Sequence, residues 1–427
     1  MFTAAFASLT KMNFNKLLSG NITKYQKEGF IMISVGIDVS KGKSTVCIMK
    51  PCGEILESPF DIGHTADELD SLISLIKSFD EETRVVMEDT GHYHLPVATY
   101  LSSHNIFVCC VNALRMKKFC SQSIRRAKTD KIDSIKIASF GITYWNELVK
   151  AYPSNVIYDE LKFLARQYYQ VTGMLVKSKV NFSNLLDQVM PKINDVLSNQ
   201  GENHKLTEFV SRYIHFQNIL DMGEMKFTSD YCKWAKKKGY RLNERKAAEI
   251  LALAQNGIPT LPNSQSVKIA VSEAVKLIHS IEESRNTILA QMQDLCNTLP
   301  EYSVVKEMDC IGDTLAPRII AEIGDVRRFK NKHSLIAYAG IDAPPYQSGA
   351  FHASERHISK RGNSYLRKTG YEIMQSLIKH KPADNAVYDF IQKKRSEGKC
   401  GKEAMIAGLN KFLRVYYGKV MEFYYEH

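Results

Sequence analysis

Four acidic residues in the first third of the chain could support a metal-dependent reaction on phosphate. Asp38 and Glu88 each end a short apolar run, whereas Asp130 and Asp133 are three residues apart and would share one face of a helix. Four converging carboxylates repel one another unless divalent cations neutralise them, and hard oxygen ligands suit Mg²⁺ or Mn²⁺. The set predicts phosphoryl transfer assisted by two metal ions, with solvated helix acids as the alternative for Asp130 and Asp133.

A second candidate for chemistry is Ser348, in a loop that follows Pro344 and Pro345 and continues into Gly349. Its hydroxyl could attack a phosphodiester if its proton were removed and the phosphate charge were neutralised. A plain turn serine is the alternative, and composition alone favours it.

Glycine and basic positions on both sides of Ser348 could bind nucleic acid. A glycine turn that enters a helix can offer backbone N–H groups to a phosphate, as in a helix-hairpin-helix element, and such a turn precedes the helical pattern at 315–323. A basic stretch follows the serine. The predicted nucleic-acid-binding residues are Gly312, Arg356, Lys360, Arg361, Asn363 and Arg367.

The acids need a sheet to position them, and the hydrophobic pattern of the first domain predicts one. Strands are predicted at 33–39, 44–49, from 55 onward, at 84–88 and at 106–111, and helices at 69–76, 95–101 and around 128–133. Three meandering strands followed by alternating helices and strands is the order of an RNase H-like α/β domain. In that order the strands ending in Asp38 and Glu88 are neighbours.

The middle of the chain has the periodicity of helices. Apolar residues at helical spacing over 158–191 and 267–299 predict an antiparallel, coiled-coil-like spacer. The segment between them is polar and basic, with Trp234 and Tyr240 among its lysines and arginines. A solvated helix surface and a nucleic-acid contact are both open for it. The residues beyond 300 are predicted to be mainly α.

Composition restricts the class of protein. Lys+Arg 57 against Asp+Glu 46 gives a net charge of +11, which favours partners that carry phosphate. Hydrophobic residues at 44% and charged residues at 24% exclude wholesale disorder and a polytopic membrane protein. The nine cysteines form no C-x-x-C pair, so neither a disulfide framework nor a zinc ribbon is expected. These features predict a reduced, cytoplasmic protein with no membrane segment that associates with nucleic acid.

A chain of 427 residues is expected to form more than one domain. The predicted parts are a leader at 1–31, a metal-binding domain at 32–150, a helical spacer with a polar insertion at 151–300, and a C-terminal domain at 301–427. Met32 is predicted to be the native start, because a strand begins just after it and the basic leader has a different composition.

The motifs that carry these residues resemble the DEDD transposases of one insertion-sequence family, the bridge-RNA-guided serine recombinases. The resemblance covers nearly everything from Met32 to about His380. The matching segments are Gly36–Lys41, Glu88–Gly91, Lys128–Asp133, a glycine turn with Ala321–Asp325, Gln347–Gly349 and Ile358–Asn363. Asn112-Ala113 in place of Asn-Pro, Ser134 in place of alanine and Cys310 in place of proline depart from the family pattern, and the segment at 195–265 is longer than usual.

The resemblance implies a RuvC-like domain in which Asp38, Glu88, Asp130 and Asp133 bind Mg²⁺ or Mn²⁺, and a C-terminal domain in which Ser348 forms a covalent link to DNA. It further implies a homo-oligomer, dimer or tetramer, in which the metal site and the serine meet across subunits. A structured noncoding guide RNA would select donor and target DNA.

Two other classes of enzyme are open on the residues alone. A RuvC-like nuclease or junction resolvase would use the carboxylates to hydrolyse DNA without a covalent intermediate. A sugar kinase or related ATPase also begins with a glycine-bearing strand ending in aspartate, but it would leave Asp130 and Asp133 without a role.

Overall fold

The computed structural model describes residues 32–89, 91–121, 129–151, 156–199, 203–241, 243–343, 347–348, 351–352 and 357–427, with the backbone alone at 347–348 and 351–352. The chain divides between Ser154 and Asn155 into two compact units, which we call the N-terminal and C-terminal units. The C-terminal unit contains both the predicted spacer and the predicted C-terminal domain, whose boundary at residue 300 stays a prediction.

A five-stranded mixed sheet organises the N-terminal unit. Its strands are β1 (Met32–Val39), β2 (Lys43–Met49), β3 (Ile55–Gly63), β4 (Glu82–Asp89) and β5 (Phe107–Asn112). The order across the sheet is β3-β2-β1-β4-β5. β1 pairs antiparallel with β2 and parallel with β4, and β4 pairs parallel with β5. This order agrees with the predicted RNase H-like arrangement, and it makes the strands of Asp38 and Glu88 neighbours.

Helices cover both faces of this sheet. They are α1 (Ala66–Lys77), α2 (Leu95–Ser103), α3 (Ala113–Cys120) and α4 (Asp130–Thr143). Buried residues of α1 and α2 pack with Ile33, Val35 and Ile37 of β1 on one face. Residues of α3 and α4 pack with β4 and β5 on the other. The predicted strands and helices of this unit are confirmed, and α3 is an additional helix that periodicity did not separate from α4.

The C-terminal unit is mainly helical. Its helices are α5 (Val156–Val189), α6 (Ile193–Val196), α7 (Lys205–Tyr213), α8 (Phe216–Met222), α9 (Glu224–Lys237), α10 (Glu244–Asn256), α11 (Gln265–Cys296), α12 (Tyr302–Lys306), α13 (Leu315–Ile323), α14 (Lys332–Ala339), α15 (Ser364–His380), α16 (Ala386–Ser396) and α17 (Gly401–Glu426). A two-stranded hairpin of β6 (Gln347–Ser348) and β7 (Phe351–His352) lies between α14 and α15.

The two long helices, α5 and α11, join two hydrophobic cores and run antiparallel. The start of α5 and the end of α11 contribute to one core with α12–α17, which we call the proximal core. The end of α5 and the start of α11 contribute to a second core with α6–α10, which we call the distal core. The predicted pair of long helices is therefore present, whereas its role as a spacer stays a prediction.

The polar segment between the long helices is a packed helical layer. Trp234 is 7% exposed and belongs to the distal core, with its ring 6.0 Å from that of Phe209 and 5.4 Å from that of Tyr240. Tyr240 donates a hydrogen bond to Glu208. The indole of Trp234 is therefore an interior group, and its lysine neighbours form a solvated helix surface, which is one of the two interpretations that the sequence leaves open for this segment.

None of the helices in the described ranges is long and apolar enough to cross a membrane. All nine cysteines are free thiols, in agreement with the expectation that the chain lacks a disulfide framework.

Candidate active site

The parallel pairing of β1 with β4 places Asp38 and Glu88 side by side. The register pairs Ile37 with Met87, so the next residue of each strand is one of the two acids. Both acids are half-buried, whereas the strand residues before them are fully buried. The carboxyl ends of parallel strands are a common place for a ligand site, because the chain leaves the sheet there and side chains are released from the core.

Helix α4 brings Asp133 to the same end of the sheet. A side-chain carbon added to Gly36 would lie 2.2 Å from the backbone nitrogen of Ala138 and 2.4 Å from the carbonyl oxygen of Ser134, so the helix rests directly on β1. Further along, a carbon added to Gly141 would meet Ser34 near the start of the strand. The first turn of α4 therefore lies toward the Asp38 end of β1.

The thiol of Cys120, at the end of α3, lies close enough to three carboxylates for their charges to affect its pKa. Burial raises the pKa of this thiol, Lys136 lowers it, and the negative charges of Asp133, Glu88 and Asp38 raise it further. Because charges act on a pKa only over short distances, all three acids lie near one thiol.

Asp130 and Lys136 complete the first two turns of α4. Asp130 is the exposed first residue of the helix, and Thr129 caps it by accepting a hydrogen bond from the backbone of Ile132. We include Asp130 with the other acids because it lies three residues before Asp133, on the same face of α4. Lys136 was not predicted; its Nζ lies 3.4 Å from Asp133 Oδ1. The signal for it was the i, i+3 spacing of opposite charges on a helix.

The donor set fits a hard divalent cation. Asp38, Glu88 and Asp133 offer only carboxylate oxygens, the ligands that Mg²⁺ and Mn²⁺ prefer. The oxygens of these three acids are not all within 4.8 Å of one another. Among the described residues, the group that meets this distance is His204, His279 and Glu282. Like charges hold carboxylates apart, which is the condition that a bound cation relieves.

Ser348 lies on a short hairpin that is closed at its base. Its backbone pairs with that of Phe351. Three backbone hydrogen bonds join the segments before and after the hairpin: Ser359 N to Asp342 O at 2.8 Å, Lys360 N to Gly340 O at 3.0 Å, and Asn363 N to Tyr338 O at 2.7 Å. The hydroxyl of Ser359 also donates to Asp342 Oδ1 at 2.5 Å. The side chains of the hairpin and all of Arg356 lie outside the described residues.

The remaining predicted nucleic-acid contacts differ in exposure. Lys360 and Arg361 are exposed, and so is Gly312 before α13. Arg367 is half-buried and its Nη1 donates to Ala339 O at 2.9 Å and to Gly362 O at 3.0 Å. Asn363 caps α15 through its Oδ1. The amide and the guanidinium therefore have structural partners, and nucleic-acid binding by these residues stays a prediction.

Glu322 is a buried acid for which the sequence predicts no separate role. Its Oε2 accepts hydrogen bonds from Asn363 Nδ2 at 2.7 Å and Arg166 Nη2 at 3.0 Å. Burial raises the pKa of Glu322, while Asn363 and Arg166 oppose that effect. Asn363 thus joins the segment after the hairpin to α13 and, through Glu322, to α5.

A cavity of about 1070 Å³ adjoins the base of the hairpin. Asp342 and His357, which flank the hairpin in the chain, line it together with Lys402, Lys411 and Arg414 of α17. Lys399 lines it as well, and so do the acids Glu397 and Glu403. Four cationic side chains therefore face three carboxylates, and the positive excess of the cavity is small.

Two family models match the chain. A transposase model, DEDD_Tnp_IS110, matches residues 35–191, and a model described as the transposase IS116/IS110/IS902 family matches residues 302–389. Together they span more than half of the sequence, and they contain β1, β4, α4 and the Ser348 hairpin.

Similar proteins include insertion-element products of two Streptomyces species. An insertion element IS110 protein of Streptomyces coelicolor is 22% identical over 299 residues, covering 70% of this chain and 72% of its own length. An insertion element IS116 protein of Streptomyces clavuligerus is 22% identical over 378 residues, covering 88% of this chain and 91% of its own length. A pilin gene-inverting protein of Moraxella bovis is 26% identical over 136 residues, covering 31% of this chain and 42% of its own length.

A solved structure of T. thermophilus RuvC in complex with a Holliday junction substrate is also similar, at 10% identity and a TM-score of 0.21. The likeness covers 27% of this chain and 96% of that one.

Proposed function

This chain belongs to the IS110 family of transposases, and on that premise we propose that it exchanges DNA strands through a covalent bond between Ser348 and DNA. Transposases act on DNA by phosphoryl transfer. The observation that supports the proposal is the convergence of Asp38, Glu88 and Asp133 at one end of the sheet, since carboxylates this close repel one another unless a cation neutralises them. The covalent role of Ser348 rests on the family resemblance.

The acids would prepare the phosphate, and the serine would attack it. A divalent cation held by Asp38, Glu88 and Asp133, with Asp130 at the rim, would neutralise charge on the phosphodiester. The oxygen of Ser348 then forms a bond to phosphorus while the bond from phosphorus to a sugar oxygen breaks, and that oxygen takes a proton. Attack by the sugar hydroxyl of another strand on the same phosphorus releases the serine, so strand exchange needs no external energy source.

The closed base of the hairpin supports a positioning role for that loop. A nucleophile must be held at a fixed distance from its target, and main-chain bonds at both ends of the loop restrict where Ser348 can lie. The lysines and the arginine of α17 in the cavity beside this base, Lys402, Lys411 and Arg414, would contact phosphates of a DNA or RNA backbone bound there. Lys360 and Arg361 extend the positive charge to the exposed side.

Partners beyond DNA form part of the proposal. We infer a homo-oligomer, dimer or tetramer, in which the carboxylates of one copy meet Ser348 of another, and a structured noncoding guide RNA that selects donor and target. Both rest on the resemblance carried by the motifs around Asp38, Glu88, Asp133 and Ser348.

Strand exchange between donor and target plasmids, with the RNA encoded beside the gene, tests the mechanism. Ser348→Ala and Asp38→Asn are each expected to abolish exchange, and Ser348→Ala to abolish the protein–DNA adduct trapped by denaturation. Ser396→Ala on α16 and Asp67→Asn on α1 are matched controls that should retain activity. Exchange or an adduct that persists in Ser348→Ala refutes the covalent mechanism, and DNA cleavage without any adduct in the wild type identifies a hydrolytic nuclease.

A further inference from the structure

Two histidines and a glutamate meet inside the C-terminal unit, away from the acids of the sheet. His204 directly precedes α7, and His279 and Glu282 are three residues apart on α11. One ligand atom from each lies within 4.8 Å of the others. The three residues fall between the two segments that match the family models, 35–191 and 302–389.

The separations suit a tetrahedral metal ion. His204 Nδ1 lies 3.5 Å from Glu282 Oε2. Ligands bonded to zinc at about 2.0–2.1 Å in a tetrahedron are roughly 3.4 Å apart, so this pair needs little movement to share an ion.

Glu282 has one oxygen engaged and one unused. Lys179 Nζ lies 2.6 Å from Oε1. The other oxygen, Oε2, is buried without a hydrogen-bond partner. An unsatisfied buried carboxylate oxygen is costly, and a bound cation is the kind of partner that satisfies it.

A hydrogen bond fixes the protonation of the His279 ring. The hydroxyl of Thr207 donates to the carbonyl oxygen of His204 at 3.0 Å, and it lies 3.1 Å from His279 Nε2. Since its one proton is used, Thr207 accepts from Nε2–H. The ring nitrogen with the lone pair is then Nδ1, as in metal-binding histidines oriented by a second hydrogen bond.

We propose that His204, His279 and Glu282 bind a Zn²⁺ ion that fastens α7 to α11, with water in the fourth coordination position. Two imidazole nitrogens with one carboxylate bind Zn²⁺ in preference to Mg²⁺. This site is therefore chemically distinct from the all-carboxylate group of the sheet. The ion would join the polar insertion to the long helix on which it packs. The plain alternative is a metal-free ion pair of Glu282 with Lys179 and a protonated His204.

Zinc binding by the full-length protein tests the proposal. Metal is first removed from the protein with a chelator. The protein is then titrated with Zn²⁺ in competition with a chromophoric chelator, and excess Mg²⁺ is present so that it occupies the sheet carboxylates. We expect the wild type to bind one more equivalent of Zn²⁺ than His204→Gln or Glu282→Gln, and Zn²⁺ to raise the Tm of the wild type only. Glu273→Gln, an exposed glutamate on the same helix, should match the wild type.

A variant that leaves all three ligands in place separates the metal site from the ion pair. Lys179→Met removes the competing ammonium, so the metal site predicts tighter Zn²⁺ binding. Equal Zn²⁺ stoichiometry in the wild type, His204→Gln and Glu282→Gln, or no gain in Lys179→Met, overturns the proposal and identifies the cluster as an ion pair. Circular dichroism of each variant checks that it is folded.

Discussion

Glu322 shows how one buried side chain connects distant segments. It is 1% exposed and binds Arg166 of α5 and Asn363 at the start of α15, while it lies on α13. A buried carboxylate is tolerated only with such partners, and removing a partner leaves an uncompensated charge. The segment that follows the Ser348 hairpin is therefore tied to two helices through a single carboxylate.

The raised pKa of Glu322 predicts a pH-dependent contribution to stability. Its folded-state pKa lies above the ordinary value of 4.5 because of burial, so the stabilisation linked to this group is full below the unfolded pKa and is lost as the pH rises through the folded pKa. Glu322→Gln cannot titrate. We expect its urea midpoint, relative to the wild type, to improve steadily from about pH 4 to about pH 7.

The control for this measurement is Glu307→Gln, which changes an exposed glutamate. Its midpoint should run parallel to the wild type over the same range. A constant difference between Glu322→Gln and the wild type at every pH would mean that Glu322 does not titrate differently in the folded state.

At the scale of elements, the contact between β1 and α4 sets the geometry of the acids. The helix approaches the strand so closely at Gly36 that only glycine fits. The capped first turn of α4 and the parallel register of β1 with β4 then place Asp133, Asp38 and Glu88 at one end of the sheet. A small displacement of the helix would move Asp133 away from both other acids.

Gly36→Ala tests this contact. The added methyl would lie 2.2 Å from a backbone atom of α4, so the helix must shift, and we expect a loss of about 1–3 kcal/mol in stability together with a loss of strand exchange. Gly173→Ala is the matched control, because nothing lies within 4 Å of its added carbon and alanine favours helix α5 by about 0.5–1 kcal/mol. Thermal unfolding and the plasmid assay measure both. Normal activity in Gly36→Ala would show that the acids tolerate displacement of α4.

At the scale of the whole molecule, the net charge of +11 has a local distribution. Carboxylates converge in the N-terminal unit, where cations would balance them. In the C-terminal unit, basic side chains line the cavity beside the hairpin, and Lys360 and Arg361 are exposed near its base. Part of the positive charge therefore lies where the proposal places nucleic acid, and another part lies in the polar segment between the long helices.

Salt dependence of binding measures this contribution. Lys360→Ala and Arg361→Ala should each weaken binding to DNA of any sequence and reduce the slope of log K against log salt by about 0.9 for each phosphate that the variant no longer neutralises. Lys276→Ala, which removes an exposed lysine of α11, should leave the slope unchanged. Equal slopes in all three variants and the wild type would mean that other basic residues neutralise the phosphates.

The sequence by itself determined the strands of the first unit and its helices other than α3, the two long helices, and the family of the chain. These follow from local signals: apolar periodicity, acids at the ends of apolar runs, and short motifs in a fixed order. The neighbouring positions of Asp38 and Glu88 also followed, because the predicted strand order makes their strands adjacent.

Only the tertiary structure decided which side chains meet across the chain. Arg166 and Glu322 are separated by 156 positions, and Thr207 and His279 by 72, so no local spacing encodes either pair. The two interpretations of the segment around Trp234 stayed open for the same reason: its lysine neighbours in sequence are solvated, while its ring packs on residues from other helices. Burial and long-range pairing depend on how helices pack against one another, and that packing is settled by the summed fit of many side chains rather than by any one motif.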